Sequence, residues 1–382
     1  MALGRTLLAG LVFAAAVATA GCGSGHQAAT AAPPATKPAL YAVGAKIFGL
    51  RGGPARLVSP PVAPLAGWLT PAAVPSPDRR YLAYNVWREL RHDDPDLSWS
   101  DQGIKPGDPL ATPSVRLYDS ATQSDELLEE GAFSLAWRGD GALAYFKGAE
   151  RDYRAGMPYA GHVVVRASVQ APPEVWSAER ARYVVAAWAG RSLVAYREGE
   201  GEALDLVVFD GPGRMRVLAP DSGLVAVSPD GRQIFVEQGP ARGRPSVRVL
   251  GVADGQEVAA LDLTTVDPAV GSVGYSGDWL EERVVAASAS GVAVFRIRPG
   301  AILLEDALRV AANGVAEPRF TDAGGRHVHA WTSARTGGVF LDCDRALRRC
   351  GRLTPLPDTS GVHGFPAWRR PLYNPSRPLV AS

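Results

Sequence analysis

A hairpin-like unit recurs along the chain, and this repeat constrains the fold more than any other feature of the sequence. Residues 76–84 (SPDRRYLAY) resemble residues 137–145 (WRGDGALAY) and 228–236 (SPDGRQIFV), and weaker copies begin at Trp188 and Phe320. An Asp at a turn can bond its own backbone, a following Gly supplies positive φ, and the apolar residues after it form an outgoing strand. Each copy therefore predicts a β-hairpin.

The spacing of the copies gives the length of the repeated unit. Asp140 and Asp230 are 90 residues apart with one weak copy between them, and Asp230 and Asp322 are 92 residues apart, so the period is about 45 residues. The copy between the last two is expected at residues 276–279. One further period leads to residues 365–373, which resemble the hairpin again.

Two further strands follow each hairpin, as in residues 115–119 with residues 126–129. A repeated unit of four antiparallel strands is the blade of a β-propeller. The last copy has too few residues after it for two more strands, whereas residues 40–50 and 55–59 are strand-like and precede the first copy. Pairing the two ends closes the ring and removes exposed sheet edges. The sequence predicts an all-β propeller of seven four-stranded blades over residues 40–382, with six or eight blades as alternatives.

The SPDG-type turn followed by an apolar strand resembles the repeat of TolB-like propellers. The resemblance covers residues 66–373 and rests on a short motif. It implies a propeller of the cell envelope that serves as a platform for protein interaction or ligand binding. Some members of that family carry a peptidase domain as well, and no such domain fits beside the propeller in 382 residues.

The N-terminus has the pattern of an export signal with a lipidation site. Arg5 precedes an apolar stretch of about 14 residues, which is shorter than the roughly 20 that a membrane span needs. It runs into TAGC, ending at Cys22, which is a bacterial lipobox except that Thr stands where Leu is usual. We interpret residues 1–21 as a lipoprotein signal peptide, Cys22 as the acylated residue (palmitate or a similar chain) and residues 22–39 as a flexible tether. The alternative is an ordinary signal peptide cleaved nearby, with Cys22 incidental.

The other two cysteines, Cys343 and Cys350, flank a six-residue polar turn between two strand-like runs. Cysteines that face each other across a hairpin come within disulfide range, and closing so short a loop stabilises a fold by about 2–3 kcal/mol. Without a nearby His or a further Cys, the pair cannot complete a zinc site. We expect a disulfide, which fits an oxidising compartment.

Composition narrows the partners and the source. A formal net charge of +1 argues against a nucleic-acid partner, which would select a basic face. Only 4 of the 40 basic side chains are Lys, a bias typical of GC-rich genomes such as those of actinobacteria. The sequence thus predicts a bacterial, extracytoplasmic protein that is attached to the cell membrane by its lipid.

Residues 88–112 form a polar insertion in the first full blade. The insertion and its flank supply a candidate binding rim of aromatic, His and acidic side chains: Trp87, His92, Asp93, Asp94, Asp96, Trp99 and Asp101. Such residues on a long loop of a rigid scaffold are typical of a surface that binds a ligand or a partner. A Ca²⁺ site and a solvated loop without function are the alternatives. A shorter polar segment, residues 148–161, interrupts the next blade and is expected beside it.

No motif of catalysis or cofactor binding is present. The segment 274–278 lacks the G-x-S-x-G spacing of a serine hydrolase and is interpreted as a turn. His327 and His329 share one face of a predicted strand, but no carboxylate lies nearby in sequence, which favours packed histidines over a metal site. We therefore expect no metal and no cofactor.

The sequence leads to a non-catalytic, lipid-anchored propeller that binds a protein partner or an envelope ligand. The alternative is a propeller enzyme, a glycan- or peptide-directed hydrolase or lyase, whose scattered carboxylates around the central channel would leave no local motif. A structural spacer of the envelope is a third interpretation. Convergent ionisable side chains in the channel would favour the enzyme, and a wide aromatic rim would favour binding.

Overall fold

The protein was analysed in a computed structural model. All residues that it describes lie within residues 37–382, one of the two units into which the chain divides. The backbone is described for residues 39–43, 46–50, 56–57, 68–69, 73–78, 80–89, 111–119, 121–122, 124–148, 153–154, 157–158, 160–198, 204–238, 245–266, 270, 273–288, 291–309, 315–320, 327–334, 337–344 and 350–352. Side chains are described for most of these residues between 74 and 307, and for Val328.

Antiparallel sheets succeed one another along the described residues. Sheet 1 contains β1 (Ala39–Val43), β2 (Lys46–Leu50) and β3 (Arg56–Leu57). Sheet 2 contains β4 (Trp68–Leu69), β5 (Ala73–Pro75), β6 (Tyr81–Glu89), β7 (Ala111–Asp119) and β8 (Ser124–Glu130), with β4 and β5 both paired to β6. Sheet 3 begins with β9 (Ala132–Trp137) and β10 (Leu143–Gly148); a separate ribbon of β11 (Tyr153–Arg154) and β12 (Met157–Pro158) follows, and β13 (Gly161–Arg166) and β14 (Glu174–Val175) complete the sheet.

The next four sheets have four strands each, in chain order. Sheet 4 contains β15 (Tyr183–Ala189), β16 (Ser192–Glu198), β17 (Leu204–Phe209) and β18 (Met215–Ala219). Sheet 5 contains β19 (Ser222–Val227), β20 (Gln233–Gln238), β21 (Ser246–Gly251) and β22 (Glu257–Asp262), and a 3₁₀ turn (Leu263–Thr265) follows it. Sheet 6 contains β23 (Val273–Leu280), β24 (Arg283–Ser288), β25 (Gly291–Arg298) and β26 (Ala301–Arg309). Sheet 7 contains β27 (Val315–Phe320), β28 (His327–Ala334), β29 (Gly337–Asp344) and β30 (Cys350–Arg352).

The hairpin between the first two strands of sheet 5 shows why the repeated motif folds as it does. The Ser228 hydroxyl donates to the Asp230 carboxylate (2.7 Å) and accepts the backbone N–H of Gln233 (2.9 Å). The backbone N–H of Arg232 donates to the same carboxylate (3.0 Å). Because the Ser and Asp side chains satisfy the backbone groups of the turn, the chain reverses within five residues. The predicted hairpin is confirmed here, and the copy at residues 76–81 makes the same set of bonds.

Successive sheets pack face to face through apolar side chains. In sheet 4, the cross-strand pair Leu193 and Phe209 packs in the cluster shared with sheet 3, and the adjacent pair Val194 and Val208 packs in the cluster shared with sheet 5. All four side chains are fully buried. Because neighbouring residues of a strand project to opposite faces, each inner sheet is buried on both sides. This double burial explains the nearly continuous apolar runs of the repeat.

Hydrogen bonds also join consecutive sheets, and three of them involve a side chain at the same position of the repeat. This position is the fourth residue of the outgoing strand, counted from Leu82, Leu193 or Ile234. The bonds are Asn85 Nδ2 to Ala132 O (3.3 Å), Leu224 N to Tyr196 Oη (2.7 Å) and Val273 N to Glu237 Oε1 (3.0 Å). Each links the second strand of one sheet to the first strand of the next.

The predicted all-β propeller is confirmed by these antiparallel sheets. The described residues form seven such sheets besides the β11–β12 ribbon, which agrees with seven blades, the number expected from the period. The predicted second strand pair, residues 115–119 with 126–129, is confirmed as part of β7 and β8. Closure of the ring by the two ends of the chain depends on residues 353–382, which lie outside the described residues.

One predicted turn is wrong. Residues 276–279 lie inside β23, and the chain reverses two residues later, at Glu281 and Glu282, where Leu280 pairs with Arg283. The Gly of this segment serves close packing instead of a turn. A Cβ at Gly277 would lie 2.6 Å from Val225 Cγ1 of sheet 5 and 2.5 Å from the carbonyl oxygen of Val285. A strand glycine that admits a close neighbour resembles a turn glycine in sequence.

The register of sheet 7 bears on the expected disulfide. Cys343 of β29 and Cys350 of β30 are direct Cα partners in the antiparallel pair. Their side chains lie outside the described residues, so the disulfide stays a prediction.

Candidate binding face

The connections between the second and third strands all emerge at one end of the sheets. Strand direction alternates within each antiparallel sheet, and the sheets stack in the same sense, so these connections share one face of the ring. We call this face the loop face. The other face carries the hairpins between first and second strands and is called the turn face. From sheet 2 to sheet 7, the loop-face connections are residues 90–110, 149–160, 199–203, 239–245, 289–290 and 335–336.

The first insertion is the longest loop-face connection, with 21 residues between Glu89 and Ala111. It joins β6 to β7. Of the predicted rim residues, Trp87 lies on β6, where its Cα pairs with Leu69 of β4 and with Pro113 of β7. The others lie outside the described residues: His92, Asp93, Asp94, Asp96, Trp99 and Asp101.

The second insertion belongs to the next sheet along the chain; its predicted place beside the first insertion stays a prediction, because residues 90–110 lie outside the described residues. It connects β10 to β13 in sheet 3, and the β11–β12 ribbon is part of it. The ribbon strand β12 is adjacent to β7, the strand at which the first insertion ends. The two longest loop-face connections therefore belong to neighbouring sheets, and the ribbon of the second is adjacent to the strand that follows the first.

An ionic cluster joins the two sheets that carry the insertions. Glu129 of β8 accepts hydrogen bonds from Tyr145 Oη (3.0 Å) and Arg166 Nη2 (3.2 Å) of sheet 3, and it also pairs with Lys147. Burial raises the pKa of Glu129, but the hydrogen bond and charge of Lys147, with the bonds from Tyr145 and Arg166, outweigh burial and hold that pKa below its usual value. Glu129 is therefore ionised at neutral pH, and its bonds connect sheet 2 to sheet 3.

Within sheet 2, a second polar group supports the strand that enters the first insertion. Tyr84 of β6 donates from its hydroxyl to Asp125 of β8 (2.7 Å), and Arg116 of β7 donates to the same carboxylate (3.1 Å). Burial, followed by the hydrogen bond to Asp125, raises the pKa of Tyr84 well above its usual value. The phenol therefore keeps its proton at neutral pH and donates it to Asp125. These bonds connect β6, β7 and β8, the strands that flank the insertion.

One Ser–His contact invites comparison with a nucleophile and its base. The Ser177 hydroxyl lies 3.0 Å from His162 Nδ1, at the base of the second insertion. However, Ser177 is only 3% exposed, and its oxygen accepts the backbone N–H of Val163 (3.1 Å). A buried hydroxyl already engaged by the backbone cannot reach a substrate. We interpret the pair as a cap on the backbone of β13.

The described first strands, which line the axis of a propeller, are mostly apolar or small. Their sequences include AFSLAW in β9, YVVAAWA in β15 and SGLVAV in β19. Among the side chains that the structure describes, no three His, Cys, Asp or Glu residues lie close enough to hold a metal ion.

The structure adds one functional group that the sequence did not indicate. Glu237 is 6% exposed, and burial raises its pKa to about 7, an effect that the hydrogen bond from Val273 N only partly offsets. The aligned residues in two other sheets, Asn85 and Tyr196, are neutral. An alignment of the repeat copies would have marked Glu237 as the acidic member of the set.

His327 and His329 begin β28, two residues apart, as predicted. Their side chains lie outside the described residues. In the part of the chain that the structure describes, no helix is long and apolar enough to span a membrane.

Comparison with known proteins defines the class by fold alone. No protein-family model matches the chain, and no curated protein matches it in sequence. Among solved structures, the propeller domain of the Trilobed protease from Pyrococcus furiosus is similar to 82% of this chain and 90% of that domain, with a TM-score of 0.50 and 14% identity. Prolyl oligopeptidase B from Galerina marginata aligns with 84% of this chain and 51% of its own length, with a TM-score of 0.51 and 14% identity.

TolB from Acinetobacter baumannii also aligns with 84% of this chain, at a TM-score of 0.44 and 11% identity, and the chain spans 64% of that protein's length. Identities this low describe architecture and carry no activity with them. The molecule is a β-propeller protein.

Proposed function

We propose that this chain is a non-catalytic, lipid-anchored extracytoplasmic propeller that binds a protein partner or an envelope ligand on its loop face. The proposal rests on one observation: the two longest loop-face connections belong to neighbouring sheets, and the ribbon of the second is adjacent to β7, the strand that follows the first. Long loops held by a rigid scaffold are where binding residues concentrate. The first of these connections carries six of the seven rim residues identified in the sequence.

The scaffold below the insertions supports this role. The Glu129 cluster and the Tyr84–Asp125–Arg116 group join five strands of sheets 2 and 3 by charge-assisted hydrogen bonds. A fixed base lowers the entropy that the loops lose when a partner binds. The same support would serve a propeller enzyme, which is the alternative.

The lipid anchor is proposed from the sequence of the first 22 residues. Cys22 follows an apolar stretch and two small residues, the pattern that diacylglyceryl transfer requires. A tether of small and Pro-rich residues then separates the anchor from β1, which begins at Ala39. Metabolic labelling with a palmitate analogue tests this part: the wild type should incorporate label and Cys22→Ala should not, and equal labelling of both would overturn the anchor.

Binding is tested by replacing residues 90–110 with a short Gly-Ser turn between β6 and β7. Cells that express the full chain or this variant are cross-linked, and the captured proteins and glycans are quantified by mass spectrometry. We expect the variant to lose a defined subset of captured molecules while its melting temperature stays close to that of the wild type. The same molecules should bind the purified chain directly.

The matched control shortens residues 239–245, another loop-face connection, which lies in sheet 5. It should retain the subset that the first variant loses. If the captured molecules are identical for the wild type and the first variant, the insertion is not the binding site. If the control loses the same subset, the loss does not depend on these insertions, and the proposal fails.

A further inference from the structure

Sheet 7 carries a set of metal-binding residue types that the sequence alone did not bring together. In the register of β28 and β29, His327 is the Cα partner of Asp344, and His329 is the Cα partner of Asp342. Directly opposed residues of an antiparallel pair share a face of the sheet, and so do residues two apart on one strand. The two His and two Asp positions therefore occupy one face. They are separated in sequence, which is why no carboxylate was visible near the histidines.

One pair of this set, His329 with Asp342, departs from the pattern of the other sheets, whereas the position of His327 and Asp344 is also polar in sheets 2 and 6. The position of His329 and Asp342 is filled in the five preceding sheets by a cross-strand pair of apolar residues, none of them more than 8% exposed. The pairs are Ala83 with Leu117, Ala144 with Val165, Val194 with Val208, Phe235 with Val249, and Val285 with Val294. Val328, one residue earlier, keeps the buried apolar character of the repeat. Apolar packing therefore does not account for His329 and Asp342.

The donor types and their spacing suit one kind of ligand. Opposed Cα atoms in an antiparallel pair are about 4.5–5.5 Å apart, and residues two apart on a strand are about 7 Å apart. Backbone positions at these spacings are close enough for two His and two Asp residues to share one ion. Two nitrogen and two oxygen donors match Zn²⁺ and neighbouring divalent transition metals, whereas Ca²⁺ and Mg²⁺ prefer oxygen donors alone.

One cationic position lies in the same row. Arg319 of β27 is the Cα partner of His329. A guanidinium offers no lone pair to a metal, and its charge opposes a cation nearby. The two carboxylates carry two negative charges, which exceed the single charge of Arg319. Removal of Arg319 is therefore expected to strengthen metal binding.

We propose that His327, His329, Asp342 and Asp344 bind a divalent transition metal ion, with Zn²⁺ the best match to the four donors. Residues 327 and 344 adjoin the connections of the turn face, which is opposite the proposed binding face. The site is thus independent of the proposed function. Its place at sheet 7, the last sheet of the ring, suits a structural ion.

The test uses the full chain, purified without a polyhistidine tag and stripped with a chelator. Co²⁺ is titrated first, because tetrahedral Co²⁺ gives a visible absorption that reports its ligands, and Zn²⁺ is then added in competition. We expect one Co²⁺ per chain, displaced by Zn²⁺. His329→Gln and Asp342→Asn should each lower the affinity by at least about tenfold, and Arg319→Gln should raise it.

His162→Gln is the matched control, because His162 lies on a strand of sheet 3 and contacts Ser177 instead. It should leave the affinity unchanged. The proposal is overturned if the wild type binds no stoichiometric Co²⁺ or Zn²⁺, if His329→Gln and Asp342→Asn bind as the wild type does, or if the control loses affinity equally. An affinity of Arg319→Gln no higher than that of the wild type would also place the ion elsewhere. Should circular dichroism show that His329→Gln does not fold, His327→Gln and Asp344→Asn decide.

Discussion

At the scale of single residues, Glu237 lies in an environment that disfavours its charged form. It is a carboxyl group in a buried position that links β20 to the start of β23 by accepting the Val273 N–H at 3.0 Å. Its pKa of about 7 in the fold exceeds the ordinary value of 4.5 because burial penalises the charged form. A group with a raised pKa binds its proton more tightly in the folded state than in the unfolded chain.

The stability of the protein should therefore fall with rising pH through this group. The contribution of protonated Glu237 is complete below pH 4.5 and is lost as the pH rises to about 7. Glu237→Gln keeps a carbonyl acceptor for Val273 but carries no charge. We expect the variant to be more stable than the wild type at pH 8, by up to about 3 kcal/mol, and nearly equal to it at pH 4.5. Denaturant unfolding at the two pH values measures the difference.

Asn85→Asp provides the complementary control, because it places a carboxyl at the aligned position of sheet 2 and should add a loss of stability above neutral pH. An equal difference between Glu237→Gln and the wild type at both pH values would contradict the assignment.

The sequence predicted turn residues well at this scale and buried polar residues poorly. Asp78 and Asp230 act on their own backbone, so a few neighbouring letters identified them. The environment of Glu237 depends on Val273, 36 residues away. The partners of His329 depend on the register of β28 with β29. Contacts set by sheet register cannot be obtained from a local pattern.

At the scale of elements, the hairpins of the turn face differ in how closely they pack. Gly231 has a φ of +69°, and a Cβ there would lie 2.2 Å from the backbone nitrogen of Gly190 in the hairpin of sheet 4. Gly141, at the aligned position of sheet 3, has a φ of +91° with no atom within 4 Å of its Cβ position. An alanine at Gly141 would therefore meet backbone strain alone, whereas an alanine at Gly231 would meet both backbone strain and a close backbone neighbour.

Alanine substitutions should rank in that order. Gly141→Ala is expected to cost roughly 1–2 kcal/mol, the penalty of a left-handed conformation. Gly231→Ala should cost several kcal/mol more, because the backbone of the adjacent hairpin must also move. Gly139→Ala, which meets no atom within 4 Å and needs no positive φ, should change stability by less than about 0.5 kcal/mol. Thermal unfolding of the three variants tests the ranking, and equal effects of Gly141→Ala and Gly231→Ala would refute the crowding argument.

The pairing of β29 with β30 leads to a prediction about the two cysteines. Because Cys343 and Cys350 are Cα partners, we expect a disulfide in the exported protein. Alkylation under denaturing, non-reducing conditions should leave both thiols unlabelled, and Cys343→Ser should expose a reactive Cys350. The double Ser variant should lose about 2–3 kcal/mol of stability. Labelling of both residues in the exported wild type would exclude the bond.

At the scale of the whole molecule, sheet 1 is where we expect the ring to be completed. Its described strands number three, whereas each of the other six sheets has at least four. The sequence predicts that the C-terminal copy of the hairpin, residues 365–373, pairs there. Pairing at this sheet would remove the last unpaired edge.

Removal of residues 361–382 should therefore destabilise sheet 1 first. We expect a lower melting temperature and faster amide hydrogen exchange in β1 and β2, measured by mass spectrometry. A shorter truncation, of residues 377–382, lies beyond the hairpin copy and should leave exchange unchanged. If the long truncation alters neither the melting temperature nor exchange in sheet 1, the ends do not pair.

The period of about 45 residues predicted the architecture because each copy makes mostly local hairpin contacts and one kind of contact with its neighbours. The candidate site was predicted less completely. The insertion at residues 88–112 stood out as a departure from the period, and its sheet is the neighbour of the sheet that carries the second insertion. The His and Asp set in sheet 7 could not be predicted from the sequence, since Asp342 lies 13 residues after His329.

The hydrogen bonds between Asn85, Tyr196 or Glu237 and the following sheet have a consequence for how the molecule comes apart. Each bond fastens the middle of one blade to the axial strand of the next, so an interior blade cannot leave without freeing polar groups on its neighbour. Disassembly is then easiest where the two chain ends meet, because the two blades there are not joined to each other by a continuous chain. The protein should lose its blades from the two chain ends inward, and its central sheets should remain as the last folded remnant.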